Sequence, residues 1–95
     1  MKKVIYIEKE TLLRDMLKLV FSQAGHQFYP YDGSEPMDYY ISDIDPDLII
    51  CDRDSYSAEI PSQIPILYTS KDEGDYQKPI NGRDLLTFVT SKFFS

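Results

Sequence analysis

Four apolar residues in a row, Leu48-Ile49-Ile50-Cys51, stand between Asp47 and Asp52. Successive strand side chains point to opposite faces, so a run without polar alternation suits a strand covered on both sides, as in a parallel sheet packed between helices. Val4-Ile5-Tyr6-Ile7 has the same character, and Ile64 to Thr69 (IPILYT) reads as a further strand.

Between these runs the period changes. Leu12, Leu13, Met16, Leu17, Val20, Phe21 and Ala24 recur at steps of one, three and four, which draws one broad stripe along a helix of about four turns. Gly25 then supplies a left-handed C-terminal cap. His26 to Tyr31 is a weaker strand, placed at an edge or a strand end because Pro30 cannot donate to a ladder. Asp32-Gly33 makes a turn. Ser34 is the expected N-cap of a short helix with Pro36 in its first turn, carrying Met37, Tyr40, Ile41 and Ile44 and ending before Pro46. After Lys78-Pro79, Asn81 caps a last helix whose apolar face is Leu85, Leu86, Val89 and Phe93. Alternating strands and helices imply an α/β fold with right-handed crossovers. Ligands in such folds bind beyond the carboxyl ends of the strands, where the strand order reverses. Glu8, Asp52 and Thr69 all fall at such ends.

The chain of 95 residues suits one domain, residues 1–95, with a single core. Its lone Cys51 cannot form an internal disulfide and is read as a buried thiol. No apolar stretch approaches the roughly 20 residues of a membrane span, and Met1-Lys2-Lys3 leads directly into a strand rather than a signal segment. The expected location is cytoplasmic, with no membrane contact. A net charge of −6, with ten scattered Lys and Arg residues, argues against a nucleic-acid surface. The acidity is taken as a matter of solubility. His26 is expected at the surface. The eight tyrosines and five phenylalanines mostly fill a core without tryptophan, with Tyr39, Tyr56, Tyr68 and Phe94 partly exposed, as interface residues often are.

Four segments carry a resemblance when taken in order: VIYIEKE, PDLIICD, IPILYTS and QKPI. Over essentially its whole length the chain resembles the receiver domain of bacterial two-component response regulators. The resemblance implies a flavodoxin-like or CheY-like open parallel sheet in the order 2-1-3-4-5. It makes Asp52 the counterpart of the phospho-acceptor, Thr69 that of the hydroxyl donor to the phosphoryl group, and Lys78 that of the lysine that contacts the phosphoryl oxygens, with Pro79 its turn partner. Glu8 and Lys9 fall on the two acids that hold Mg2+ together with the acceptor.

The chain departs from that pattern in its site and in its frame. Lys9 is a cation where a metal-binding acid is expected. Only residues 53 to 63 separate the third strand from the fourth, and only 70 to 77 lie between Thr69 and Lys78, while a crossover with its helix needs at least about 10 to 12 residues. The expected third helix is therefore vestigial, the fourth missing, and the fifth strand short or lost. The loop after the acceptor, Arg53-Asp54-Ser55-Tyr56 through Ile60-Pro61, lacks the usual proline and glycine. Asp75 replaces the aromatic switch residue, with Tyr76 one place later.

Glu8, Lys9, Asp52 and Lys78 sum to zero charge, which leaves little electrostatic demand for Mg2+. In one reading Lys9 pairs with Asp52 and substitutes for the metal; in the other it points to solvent and leaves Glu8, Asp52 and Asp54 for a weakly held ion. Two functions compete. One is a degenerate receiver with no cofactor that recruits a protein partner, a histidine kinase or another signalling protein, and is not an enzyme. The other is a minimal active receiver that accepts a phosphoryl group on Asp52 from a histidine kinase or phosphotransfer protein with Mg2+. A nucleotide-binding domain is disfavoured, because the turn Glu8-Lys9-Glu10-Thr11 has no glycines to cradle phosphates. The missing fourth helix is expected to expose an apolar strip, for which a homodimer is one cover.

Overall fold

The computed structural model describes residues 1–60 and 63–95. In chain order the elements are β1 (Lys3–Ile7), α1 (Thr11–Gln23), β2 (Gln27–Tyr31), α2 (Asp38–Ile44), β3 (Leu48–Asp52), β4 (Ile66–Ser70), β5 (Tyr76–Gln77) and α3 (Gly82–Phe93). The strands form one five-stranded sheet in the order β2-β1-β3-β4-β5, and every pairing is parallel. The continuous apolar runs hold the interior as expected: every residue of β3 is buried, and so is β1 from Val4 to Ile7. β2 is an edge strand, which tolerates Pro30.

Strand alternation divides the core into two layers. Val4, Tyr6, Leu48, Ile50 and Leu67 face α1 and α3, where Leu17, Phe21, Leu85 and Val89 meet them. Ile5, Ile7, Ile49 and Cys51 face the other way and pack with Met37 and Ile60. This second layer has the thinner cover. α2 contributes no fully buried residue, and no helix is present among the described residues between β3 and β4 or between β4 and β5. Among the described residues a turn at 53–55 stands in the place of the vestigial helix, and β5 is only two residues long.

The ends of α1 and α3 follow their sequence signals. At the end of α1, Gly25 adopts φ +90°, its N–H donates to Ser22 O (3.0 Å), and His26 N–H donates to Phe21 O (3.1 Å), the paired bonds of a Schellman cap. Asn81 Oδ1 accepts from Asp84 N (3.0 Å) at the start of α3. The expected start of α2 is corrected. Ser34 donates from both its amide (2.9 Å) and its hydroxyl (2.6 Å) to Asp32 Oδ1, so its side chain is committed to the preceding turn. The helix begins after Met37, and Pro36 lies outside it. The stripe on α1 is also narrower than its sequence suggests. Leu12 is 84% exposed and Ala24 is exposed, because the sheet covers only the side that carries Leu17 and Phe21.

Cys51 is buried, and burial pushes its thiol up to about 11. His26 is half-buried, between the rings of Phe21 (6.1 Å) and Phe94 (5.2 Å). Tyr39 is 70% exposed, while Tyr56, Tyr68 and Phe94 are half-buried. Pro61 lies outside the described residues.

Candidate functional site

The strand order reverses at β1, whose neighbours are β2 on one side and β3 on the other. Beyond the carboxyl ends of β1, β3 and β4 the rows Val4-Tyr6-Glu8, Leu48-Ile50-Asp52 and Leu67-Thr69 bring three polar side chains together above the α1 and α3 layer. Glu8, Asp52 and Thr69 have no solvent exposure. Lys78 reaches in from the end of β5, through a cis peptide to Pro79, with its side chain 8% exposed.

Lys78 Nζ lies between the two carboxylates, 2.7 Å from Glu8 Oε1 and 3.2 Å from Asp52 Oδ1. Thr69 Oγ1 donates to the same Asp52 oxygen (3.1 Å). Ser55 takes the other one, donating to Asp52 Oδ2 at 2.6 Å, and its oxygen accepts from Lys9 N (2.8 Å). Glu8 is equally occupied: Tyr6 OH donates to Oε1 (3.2 Å), Glu10 N to Oε2 (3.2 Å), and Arg14 Nη1 to its main-chain carbonyl (2.7 Å). No buried side-chain polar atom among the described residues lacks a partner. Burying a carboxylate is costly unless it is paired and hydrogen-bonded, and this arrangement meets both needs.

Protonation follows from these contacts. Burial alone would lower the Lys78 ammonium, but its hydrogen bonds to Glu8 and Asp52, and their charges, more than offset this and raise it. Burial, and then the Glu8 charge, push the Tyr6 phenol far above its ordinary range, so it is a donor at all ordinary pH values.

Glu8, Asp52, Thr69 and Lys78 thus converge as expected. Lys9 does not. Its side chain is exposed and forms no ion pair among the described residues, so the pairing of Lys9 with Asp52 is corrected. The residue after Glu8 points away from the face that Glu8 enters, and the Asp52 oxygens are already held by Lys78, Thr69 and Ser55. The charge of the pocket is therefore two carboxylates against one ammonium, rather than zero. Ser55 was missed. Its only sequence signal was a hydroxyl three positions after Asp52 in a loop otherwise read as a departure from pattern. Asp54 is turned outward and accepts from Lys71 N (3.1 Å).

Mg2+ demands near-octahedral oxygen ligands at about 2.0–2.1 Å. As arranged, an ammonium sits between the two acids, and no three His, Cys, Asp or Glu side chains among the described residues converge to hold a metal ion. The donor set does not fit that ion in this arrangement. At the place of the expected switch residue, Asp75 Oδ2 accepts from Tyr68 N (2.9 Å). Tyr76 donates to Asp84 (2.7 Å) and lies against Phe88.

No family model and no curated protein sequence matches the chain. Solved structures do. A response regulator receiver modulated diguanylate cyclase from Pelobacter carbinolicus is similar with a TM-score of 0.74 at 23% identity, over 99% of this chain and 97% of that one. The BeF3-activated N-terminal receiver domain of Klebsiella pneumoniae RstA gives 0.80 at 12% identity, over 98% and 99%. A response regulator from Desulfuromonas acetoxidans gives 0.81 at 14% identity, over 96% and 95%. With the sheet order 2-1-3-4-5 and the acidic site at its switch point, these likenesses establish that the chain has the CheY-like fold of response regulator receiver domains.

Proposed function

We propose that the chain is a receiver-fold interaction module of bacterial signal transduction. It binds a protein partner in the cytoplasm while Lys78 and Ser55 hold its acceptor pocket shut, with little or no Mg2+-dependent phosphorylation. One observation carries this reading: both oxygens of the fully buried Asp52 are engaged, Oδ1 by Lys78 and Thr69 and Oδ2 by Ser55. An attacking carboxylate needs a free oxygen in line with the phosphoryl group, and a cation to take up the charge that spreads over the equatorial oxygens. Two carboxylates would attract a dication entering this pocket and one ammonium would repel it, each by roughly 4 kcal/mol per unit charge pair at 4 Å and an effective dielectric near 20, so the ion has first to take the acids' oxygens from Lys78 and Ser55. Asp75 and Tyr76 support the same reading, since their hydrogen bonds tie them to β4 and to α3.

The test is to incubate the protein with Mg2+ and acetyl phosphate and follow its intact mass. The mass is expected to stay constant. A stoichiometric phosphoryl adduct that disappears in Asp52→Asn would end the proposal.

The second reading, a minimal active receiver, is favoured by Thr69 and Lys78 meeting on one Asp52 oxygen, ready to contact a phosphoryl group. It requires that Mg2+ with a beryllium fluoride mimic shift the amide signals of Asp52, Thr69 and Lys78, and that Asp52→Asn abolish signalling in the cell.

A further inference from the structure

On the α2 side of the sheet, Ile66 and Tyr68 of β4 are only half-buried. The chain passes from β4 to β5 through residues 71–75 alone, too few for a crossover helix. The space this leaves is a cleft of about 820 Å³ around Tyr68, lined by Arg53, Glu59, Asp72, Glu73 and Asp75 among others. It is not the apolar strip expected of a missing helix. Four carboxylates there face one guanidinium. Asp75 is committed to Tyr68 N. Glu59, Asp72 and Glu73 are exposed, and their carboxylates have no hydrogen bond or ion pair among the described residues. The Tyr68 ring already receives a cation, with the Arg53 guanidinium 4.0 Å from its centroid.

We propose that this cleft binds a basic amphipathic helix of a partner protein, its Lys and Arg side chains meeting Glu59, Asp72 and Glu73 and its apolar side lying over Tyr68 where a crossover helix is absent. Charge selects this occupant. A second copy would bring the same acids to a self-complementary contact on a chain that already carries −6, and a nucleic acid has the wrong sign. Opposed surface potentials favour a basic segment and speed its encounter. A helix about 10 Å across matches a space that a crossover helix would otherwise fill. The proposal rests on the reading of the chain as an interaction module, and not on whether Asp52 accepts a phosphoryl group.

The probe is a fluorescein-labelled synthetic helix with Leu at i, i+3 and i+4 spacing and Lys and Arg elsewhere, with a counterpart carrying Glu in place of the basic residues. The full chain should bind the basic peptide, lose affinity as salt rises, and ignore the acidic one. Reversing charge in the cleft with Asp72→Lys/Glu73→Lys, or independently with Glu59→Lys, should weaken binding about tenfold for the pair. Reversal elsewhere with Asp15→Lys/Asp43→Lys should cost less than about threefold, by screening. Arg53→Ala should tighten binding, because it removes the cleft's own cation.

Three outcomes overturn the proposal: no binding of the basic peptide, equal weakening by both reversed pairs, or a concentration-dependent dimer in sedimentation that Asp72→Lys/Glu73→Lys abolishes. The last assigns the face to a second copy. A phosphoryl adduct on Asp52 would sink the closed-pocket reading and leave the cleft untouched; absent peptide binding with Asp52 unmodified would do the reverse.

Discussion

Ser55 and Lys78 together close a ring around two buried acids, each touching one oxygen of Glu8 and one of Asp52. The Ser55 hydroxyl has one proton, and the 2.6 Å contact assigns it to Asp52. Its position depends on a neighbour: Gly33 has φ +87°, and a Cβ there would stand 3.0 Å from the Ser55 carbonyl oxygen. Ser55→Ala removes a donor from Asp52 and an acceptor from Lys9 N, and is expected to lower stability by about 1–3 kcal/mol in urea denaturation. Lys78→Met leaves two buried carboxylates without their counter-charge and should cost about 3–5 kcal/mol by the same measurement. Lys9→Ala, at an exposed position, should stay within about 0.5 kcal/mol of the parent. That contrast separates the lysine that serves the pocket from the one that only adjoins it.

Among the elements, the long periodic ones were legible and the connectors were not. α1 and α3 each bury a stripe that repeats over several turns, so one misread position, such as Leu12, leaves the assignment intact. Asn81 caps α3 through its contact with Asp84 N, and Asn81→Ala should reduce stability by about 1 kcal/mol in thermal denaturation. α2 is only seven residues long, and its start was misjudged because two partners compete for the amide and hydroxyl of Ser34: the N–H groups of a following helical turn, from which an N-cap hydroxyl accepts, and a carboxylate to which both can donate. The Asp32 carboxylate, two residues away, won them and fixed a turn. The loss of the fourth helix was countable from the sequence alone, since the eight residues 70 to 77 cannot hold both a helix and a strand. The lining of the resulting opening was not countable, because Glu59 and Asp72 approach one another only once the sheet has formed.

At the scale of the molecule, the two apolar layers hold the strand ends in register, and His26 joins that frame near both chain termini. Its Nδ1 accepts from Lys2 N (3.2 Å). Burial first, and then the amino terminus and Lys2, lower its pKa from 6.5. The unfolded chain therefore binds a proton at a higher pH than the folded one. The contribution of His26 is fully present above its unfolded pKa and is lost as pH falls through its folded pKa. Urea midpoints measured between about pH 5 and 7 should rise with pH, and His26→Gln should flatten that rise.

By itself the sequence determined the parallel α/β plan and the gathering of Glu8, Asp52 and Thr69 at one rim, to which the family resemblance added Lys78. Burial on both faces demands unbroken apolar runs, and the polar residue that terminates such a run must stand at a strand end. Only the tertiary structure decided that Lys9 turns to solvent, that Ser55 enters the pocket, and that the acids around Tyr68 line an open cleft. Those outcomes turn on which groups compete through space for the same buried oxygens or the same uncovered face, a contest between residues far apart in the chain.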